Sequence, residues 1–142
     1  MTVDNAILMP AVAMVLLTSM VWLRMYSDRL HELRERRIHP QKISTSRLAA
    51  EQLENVKSAD NFRNLFEMPV LFYALCGFLA LTKLTTVLLL ACAWGYVVLR
   101  AYHSYIHLTH NNVIRRFQAY TASCVVLYVM WGVFAVKLAI QH

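Results

Sequence analysis

Four stretches of the chain carry no Asp, Glu, Lys or Arg. They are Ala6 to Leu23 (18 residues), Met68 to Thr82 (15), Leu84 to Leu99 (16) and Phe117 to Val136 (20). A hydrocarbon layer about 30 Å thick takes about 20 residues of helix to cross. The first and fourth stretches nearly reach that length unaided. The second and third do not, so each must draw in flanking polar sequence. The pattern predicts spans at about residues 6–26, 62–82, 84–106 and 117–138. The expected fold is all-α: a single integral membrane four-helix bundle over residues 1–142, since helices satisfy their own backbone in lipid. Pro10 falls in the first turns of the first span, where a missing N–H costs least. Asp4 precedes that span and no Lys or Arg comes before Arg24, so a retained helix is expected there, not a cleaved signal.

Extending the middle spans places Arg63 and Glu67 on the second, and Arg100 and His103 on the third. A charge at mid-membrane costs about 2.5–3.5 kcal/mol on insertion scales. Residues that costly face a bundle interior or a polar cavity. Composition sharpens the picture. The chain is 58% hydrophobic and only 15% charged, which leaves too little polar surface to cover a soluble monomer.

The net charge of +6 does not point to nucleic acid, because the basic residues form blocks between apolar runs. Arg24, Arg29, Arg34, Arg36, Arg37, Lys42, Arg47, Lys57 and Arg63 belong to the first connection, and Arg100, Arg115 and Arg116 to the third. Only Lys83 and Lys137 lie on the other side. The positive-inside rule then puts both termini outside and the polar residues of spans two and three at the cytoplasmic end, beside anionic lipid.

The first loop, about residues 27–61, is long and basic. Leu30 and Leu33 have helical spacing, so the first helix is expected to extend towards Pro40. Ser44-Thr45-Ser46 predicts the cap of a short helix through about Lys57. Cys76, Cys92 and Cys124 sit inside apolar runs without CxxC spacing and read as small core hydrophobes.

Two constellations carry candidate chemistry. On a continuous helix, Asp60, Arg63, Asn64 and Glu67 share one stripe. That set suits a zwitterionic ligand; it equally suits an intrahelical Arg63–Glu67 ion pair with Asp60 as a cap. Arg100, His103, His107 and His110 form a second stripe. Histidines at i and i+4 can bind a metal, but no third ligand or carboxylate partner is evident, so no metal is assigned. Hydrogen-bonding histidines in a polar cavity fit better. No phosphate loop, GxSxG or HExxH occurs.

Four spans, a long basic first loop, Arg63-Asn64-x-x-Glu67 opening the second span, and Arg100-x-x-His103 followed by Arg116 together resemble the MAPEG family, the membrane-associated proteins of eicosanoid and glutathione metabolism. The likeness covers nearly the whole chain and is strongest over residues 60–120. It suggests a bacterial-type member similar to microsomal glutathione transferase and prostaglandin E synthase. The resemblance implies a homotrimer that binds glutathione as cosubstrate between subunits and accepts a lipophilic small molecule from the bilayer. It implies that Arg63, Asn64, Glu67 and His103 contact glutathione, with His107 and Tyr120 beside them and a first-span arginine, Arg24 or Arg29, contributing. Arg116 resembles the arginine placed near the thiol, which would make it catalytic.

Three positions depart from relatives: Asp60 replaces an arginine, His107 a tyrosine, and Phe117 a serine. The departures argue against eicosanoid synthesis. The expected activity is a glutathione-dependent transferase or peroxidase; the alternative is a lipid-binding or scaffold protein of the same fold.

Overall fold

The computed structural model describes residues 3–54 and 57–140. Seven α-helices are formed among them: α1 (Val3–Ala6), α2 (Leu8–Glu35), α3 (Ser46–Gln52), α4 (Lys57–Asn64), α5 (Met68–Thr82), α6 (Val87–Leu108) and α7 (Val113–Ile140). Four helical units are long and apolar enough to cross a membrane: Val3–Glu35, Lys57–Thr82, Val87–Leu108 and Val113–Ile140. The all-helical character and the four spans agree with the sequence pattern.

Each span buries a narrow stripe and turns the rest outward. Ile7, Met14 and Val21 recur every seven residues along the first. Phe72, Leu75, Cys76 and Leu79 form the i, i+3, i+4, i+7 seam of α5. Leu89, Ala93 and Tyr96 do the same for α6, and Leu127, Met130 and Phe134 for α7. These side chains make one core, with the Phe72 and Tyr96 rings stacked at 4.4 Å. Leu16, Leu81, Leu88 and Phe117 are among the many large apolar side chains left exposed. In lipid that exposure costs little, and helices associate through close packing and polar contacts.

The two ends differ. At one, Lys83 closes α5 in the left-handed conformation (φ 57°), Thr86 caps α6, and Asp4 accepts a hydrogen bond from the Thr85 amide at 3.3 Å. At the other, α2 runs on to Glu35, as the Leu30 and Leu33 spacing predicts. With 28 residues α2 is about 42 Å long, more than the hydrocarbon requires. Arg36 ties it to the loop, donating to the Gln52 carbonyl at 3.1 Å. Thr45 caps α3 through the Leu48 amide at 3.2 Å. That helix stops at Gln52, and Asn55 and Val56 of its expected extent lie outside the described residues.

The second span departs from the continuous helix that the 60–67 stripe requires. It begins at Lys57, not near Phe62, and breaks between Asn64 and Met68. Glu67 takes φ −93° and ψ −100°, outside the helical region. Pro69 explains the break. It has no N–H to offer the Leu65 carbonyl, and its ring would crowd that oxygen in a continuous helix. The amides of Leu65 and Phe66 instead close short turns onto Phe62 and Arg63.

Candidate functional site

The buried stripe of α6 changes character halfway along. Beyond Tyr96 and Val97 it continues as Arg100, His103, Ser104 and His107, all buried, with Arg100 completely so. A fully buried guanidinium needs partners. The break supplies one. Interrupting the second span frees the Asn64 carbonyl, which accepts a hydrogen bond from Arg100 Nη2 at 2.6 Å. The Arg100 guanidinium also lies over the Tyr120 ring of α7, 5.3 Å from its centroid. Among the described residues no carboxylate pairs with Arg100.

His103 and His107 sit one turn apart, rings 5.9 Å from centre to centre, and His103 stands 5.6 Å from Tyr120. The carbonyl of Arg116, 3.1 Å from His103 Nδ1, can only accept, so Nδ1 carries the hydrogen. Arg116 Nη1 can only donate, so His107 Nε2, 3.1 Å away, is the acceptor. Arg116 Nη1 also donates to Asn111 Oδ1 at 2.7 Å. Ser104 Oγ donates to Asn61 Oδ1 of α4 at 3.2 Å.

The remaining buried atoms are mostly donors. Arg100 Nε and Nη1, Asn61 Nδ2, His107 Nδ1 and His103 Nε2 have no protein partner. By the assignment above, His103 Nε2 alone of these offers a lone pair. Two arginines, two imidazoles and an amide, with no buried carboxylate among the described residues, make a site suited to an anion such as a carboxylate or thiolate. Both histidines already have one ring nitrogen engaged by Arg116, and no three His, Cys, Asp or Glu residues converge as metal ligands among the described residues.

The other predicted residues lie at the rim. Arg63 is exposed and pairs loosely with Asp60 at 3.9 Å, where one reading of the stripe had an Arg63–Glu67 bridge with Asp60 as a cap. Glu67 is exposed within the break, separated from the helix that carries Arg63. The Asn64 side chain is half-buried beside its engaged carbonyl. Arg24 is bound to Asp28 at 3.0 Å on the outer face of α2, and Arg29 is half-buried. Neither arginine bonds to the α6 cluster among the described residues. The structure thus brings together Arg100, His103, His107, Arg116 and Tyr120. Glu67 lies close enough to act electrostatically on Tyr120, while Arg63, Arg24 and Arg29 make no bond to the cluster among the described residues.

Asn61, Ser104 and Asn111 join the cluster without having been singled out for it. The spacing of Ser104 on the α6 stripe, and of Asn61 one turn before Asn64, are the signals that point to the first two. Beside the break, Val15, Thr18 and Ser19 of α2 with Leu65, Phe66 and Tyr73 line a mostly apolar groove of about 260 Å³.

Comparison with known proteins gives one match. The sequence model of the MAPEG family aligns with residues 7–136, which span all four membrane segments. No curated protein and no solved structure matches.

Proposed function

We propose, for a chain that belongs to the MAPEG family, that it is a glutathione-dependent transferase or peroxidase acting on lipophilic electrophiles. MAPEG membership and four apolar helices make it an integral multi-pass membrane protein with a glutathione-related role at the level of the family. The observation that carries the finer reading is the buried donor surplus around Arg100 and Arg116, neither of which forms an ion pair with a carboxylate among the described residues.

Glutathione is an anionic thiol with two carboxylates and an ammonium. Its thiol, with a pKa near 8.5, is only about 3% ionised at pH 7. Lowering that pKa by about two units makes roughly three-quarters of it thiolate, for about 2.7 kcal/mol of added stabilisation. An arginine in a partly dry site can supply this. Arg116 takes that role here. In the transferase reaction the thiolate sulfur forms a bond to an electrophilic carbon, and the departing group leaves with the electron pair and takes up a proton. Arg63, Asn64 and Glu67 at the rim bind the carboxylate and ammonium ends, with His103, His107, Tyr120 and one of Arg24 or Arg29 completing the contacts. Because Arg63 and Glu67 are exposed in one chain, a homotrimer with the site between subunits suits them. Basic asymmetry supports termini on the outer side and a site near the cytoplasmic face.

The apolar groove favours a second reading, a lipid-binding or scaffold protein without turnover. Titrating detergent-purified protein with glutathione, following heat and thiolate absorbance, separates the two. Binding with a thiolate signal at neutral pH supports the enzyme. Binding without one supports the second reading, and no binding overturns the glutathione assignment.

A further inference from the structure

Arg116 is not placed by its own helix alone. Its guanidinium is held from the preceding turn, and the way it is held bears on what it can do. After α6 ends at Leu108, the Asn111 amide donates back to the Ile106 carbonyl at 2.8 Å, and Asn111 adopts φ 47°. That left-handed conformation strains most residues but suits asparagine and glycine. Asn112 then starts α7, its side-chain oxygen accepting from the Arg115 amide at 3.1 Å and its carbonyl from the Arg116 amide at 3.0 Å. The tight turn brings Asn111 Oδ1 within 2.7 Å of Arg116 Nη1.

Nη1 carries two hydrogens. Asn111 Oδ1 takes one, and His107 Nε2, at 3.1 Å, takes the other. Nε and Nη2 have no protein partner among the described residues. Both acceptors are neutral. A carboxylate in either place would hold the guanidinium as well but would cancel the charge that a thiolate needs. An amide and an imidazole fix the arginine while leaving its charge uncompensated.

We infer that Asn111 is a positioning residue, whose left-handed backbone and side-chain oxygen hold Arg116 against His107 with Nε and Nη2 free for an anionic sulfur. The inference rests on the reading in which Arg116 stabilises the glutathione thiolate. Its hold on Arg116, however, is measurable without glutathione.

Two variants separate backbone from side chain. Asn111→Gly keeps the left-handed turn and removes the acceptor. Asn111→Asp keeps the acceptor and adds a charge. Full-length protein in detergent is labelled with ¹⁵N-arginine, and the Arg116 Nε signal is assigned by its loss in Arg116→Lys. That signal should be sharp in the natural protein and in Asn111→Asp, and broadened in Asn111→Gly. Glutathione affinity should stay within about threefold in Asn111→Gly, while the midpoint of the thiolate absorbance rises by about one pH unit, equivalent to a tenfold change in the ionisation constant. Turnover should fall with KM little changed. Asn111→Asp should show an ordered arginine with a raised midpoint, the outcome a merely structural role would not produce. An Arg116 signal equally sharp in Asn111→Gly overturns the inference. So does a midpoint that neither variant moves. If the natural protein gives no glutathione signal at all, the functional reading fails. The arginine spectrum then still decides whether Asn111 holds Arg116.

Discussion

The two halves of α6 present one continuous buried stripe, yet they are built to opposite specifications. From Leu89 to Tyr96 the stripe is apolar and meets the seams of α5 and α7. There, packing is the main demand, and the Phe72–Tyr96 stack meets it. From Arg100 to His107 the stripe is polar and meets a helix break, an asparagine and an arginine. A buried polar atom without a partner costs about 1–3 kcal/mol, and among the described residues that half holds four of them, with a fifth on Asn61 of α4, against the Tyr96 hydroxyl in the first half. The first half reads as structure. The second carries a cost that a scaffold has no reason to bear, which is the physical case for a ligand site there.

The sharpest way to break this contrast is to truncate the apolar half. Phe72 is fully buried, and Phe72→Ala should lower stability by about 3–5 kcal/mol, the usual cost of removing a packed ring. Unfolding in mixed detergent measures it. Glutathione affinity of the protein that remains folded should be unchanged. A selective loss of affinity without loss of stability would mean that the halves are not separable.

In the polar half, effects should fall on binding and chemistry. Glu67→Gln should weaken glutathione binding by about 1.5–3 kcal/mol, the worth of a hydrogen bond to a charged group, if Glu67 receives the ammonium. Calorimetry reads this directly. Arg116→Ala should leave binding closer to normal and return the bound thiol toward its free pKa. At pH 7 the thiolate fraction then drops by roughly 25-fold, from about three-quarters to about 3%, and turnover should follow it. Arg116→Lys should recover only part, since an ammonium lacks the planar fork. Thiolate absorbance against pH, with turnover on a lipophilic electrophile, checks both. An unchanged midpoint in Arg116→Ala would reduce Arg116 to a basic residue at the membrane border.

How far each half was legible follows from the same physics. The apolar runs are long and free of charge, so four spans could be read from the sequence alone, while the seams each span buries were not assigned. Arg100, His103 and His107 of the α6 stripe could be read too, because α6 is unbroken across them; His110, read as its fourth member, lies beyond the end of α6 at Leu108 and is exposed. The second-span motif was misread in geometry. Arg63, Asn64 and Glu67 share a face only on a continuous helix, and Pro69 two positions on forbids one. The consequence is larger than a shifted side chain, because the break frees the carbonyl that Arg100 uses. Neither that bond nor the Asn111–Arg116 contact has a periodic signature. Both depend on where the chain leaves a helix, and boundaries are weakly encoded in composition.

Arg100 offers the most discriminating test, because its two duties have opposite signs. Among the described residues its buried charge has no carboxylate partner, and desolvating it costs stability. Replacing it with Met removes that cost and keeps much of the volume. The Asn64 carbonyl then loses its donor, a penalty of about 1–3 kcal/mol that offsets the relief. Arg100→Met should therefore change the stability of the unliganded protein little, by about 1 kcal/mol or less in either direction. Function should not share that tolerance. Without the guanidinium, the break is no longer tied to α6 and Tyr120, and two buried donors are lost from the site. Glutathione affinity should fall by about tenfold, about 1.4 kcal/mol. Arg100→Lys should restore part of it, because an ammonium can reach the Asn64 carbonyl but cannot also present Nε and Nη1. Thermal unfolding and glutathione titration on the same three preparations decide the matter. If Arg100→Met unfolds several kcal/mol sooner, Arg100 belongs with the scaffold. If it stays folded and binds glutathione undiminished, the polar half of α6 is not where the ligand's anionic groups are met.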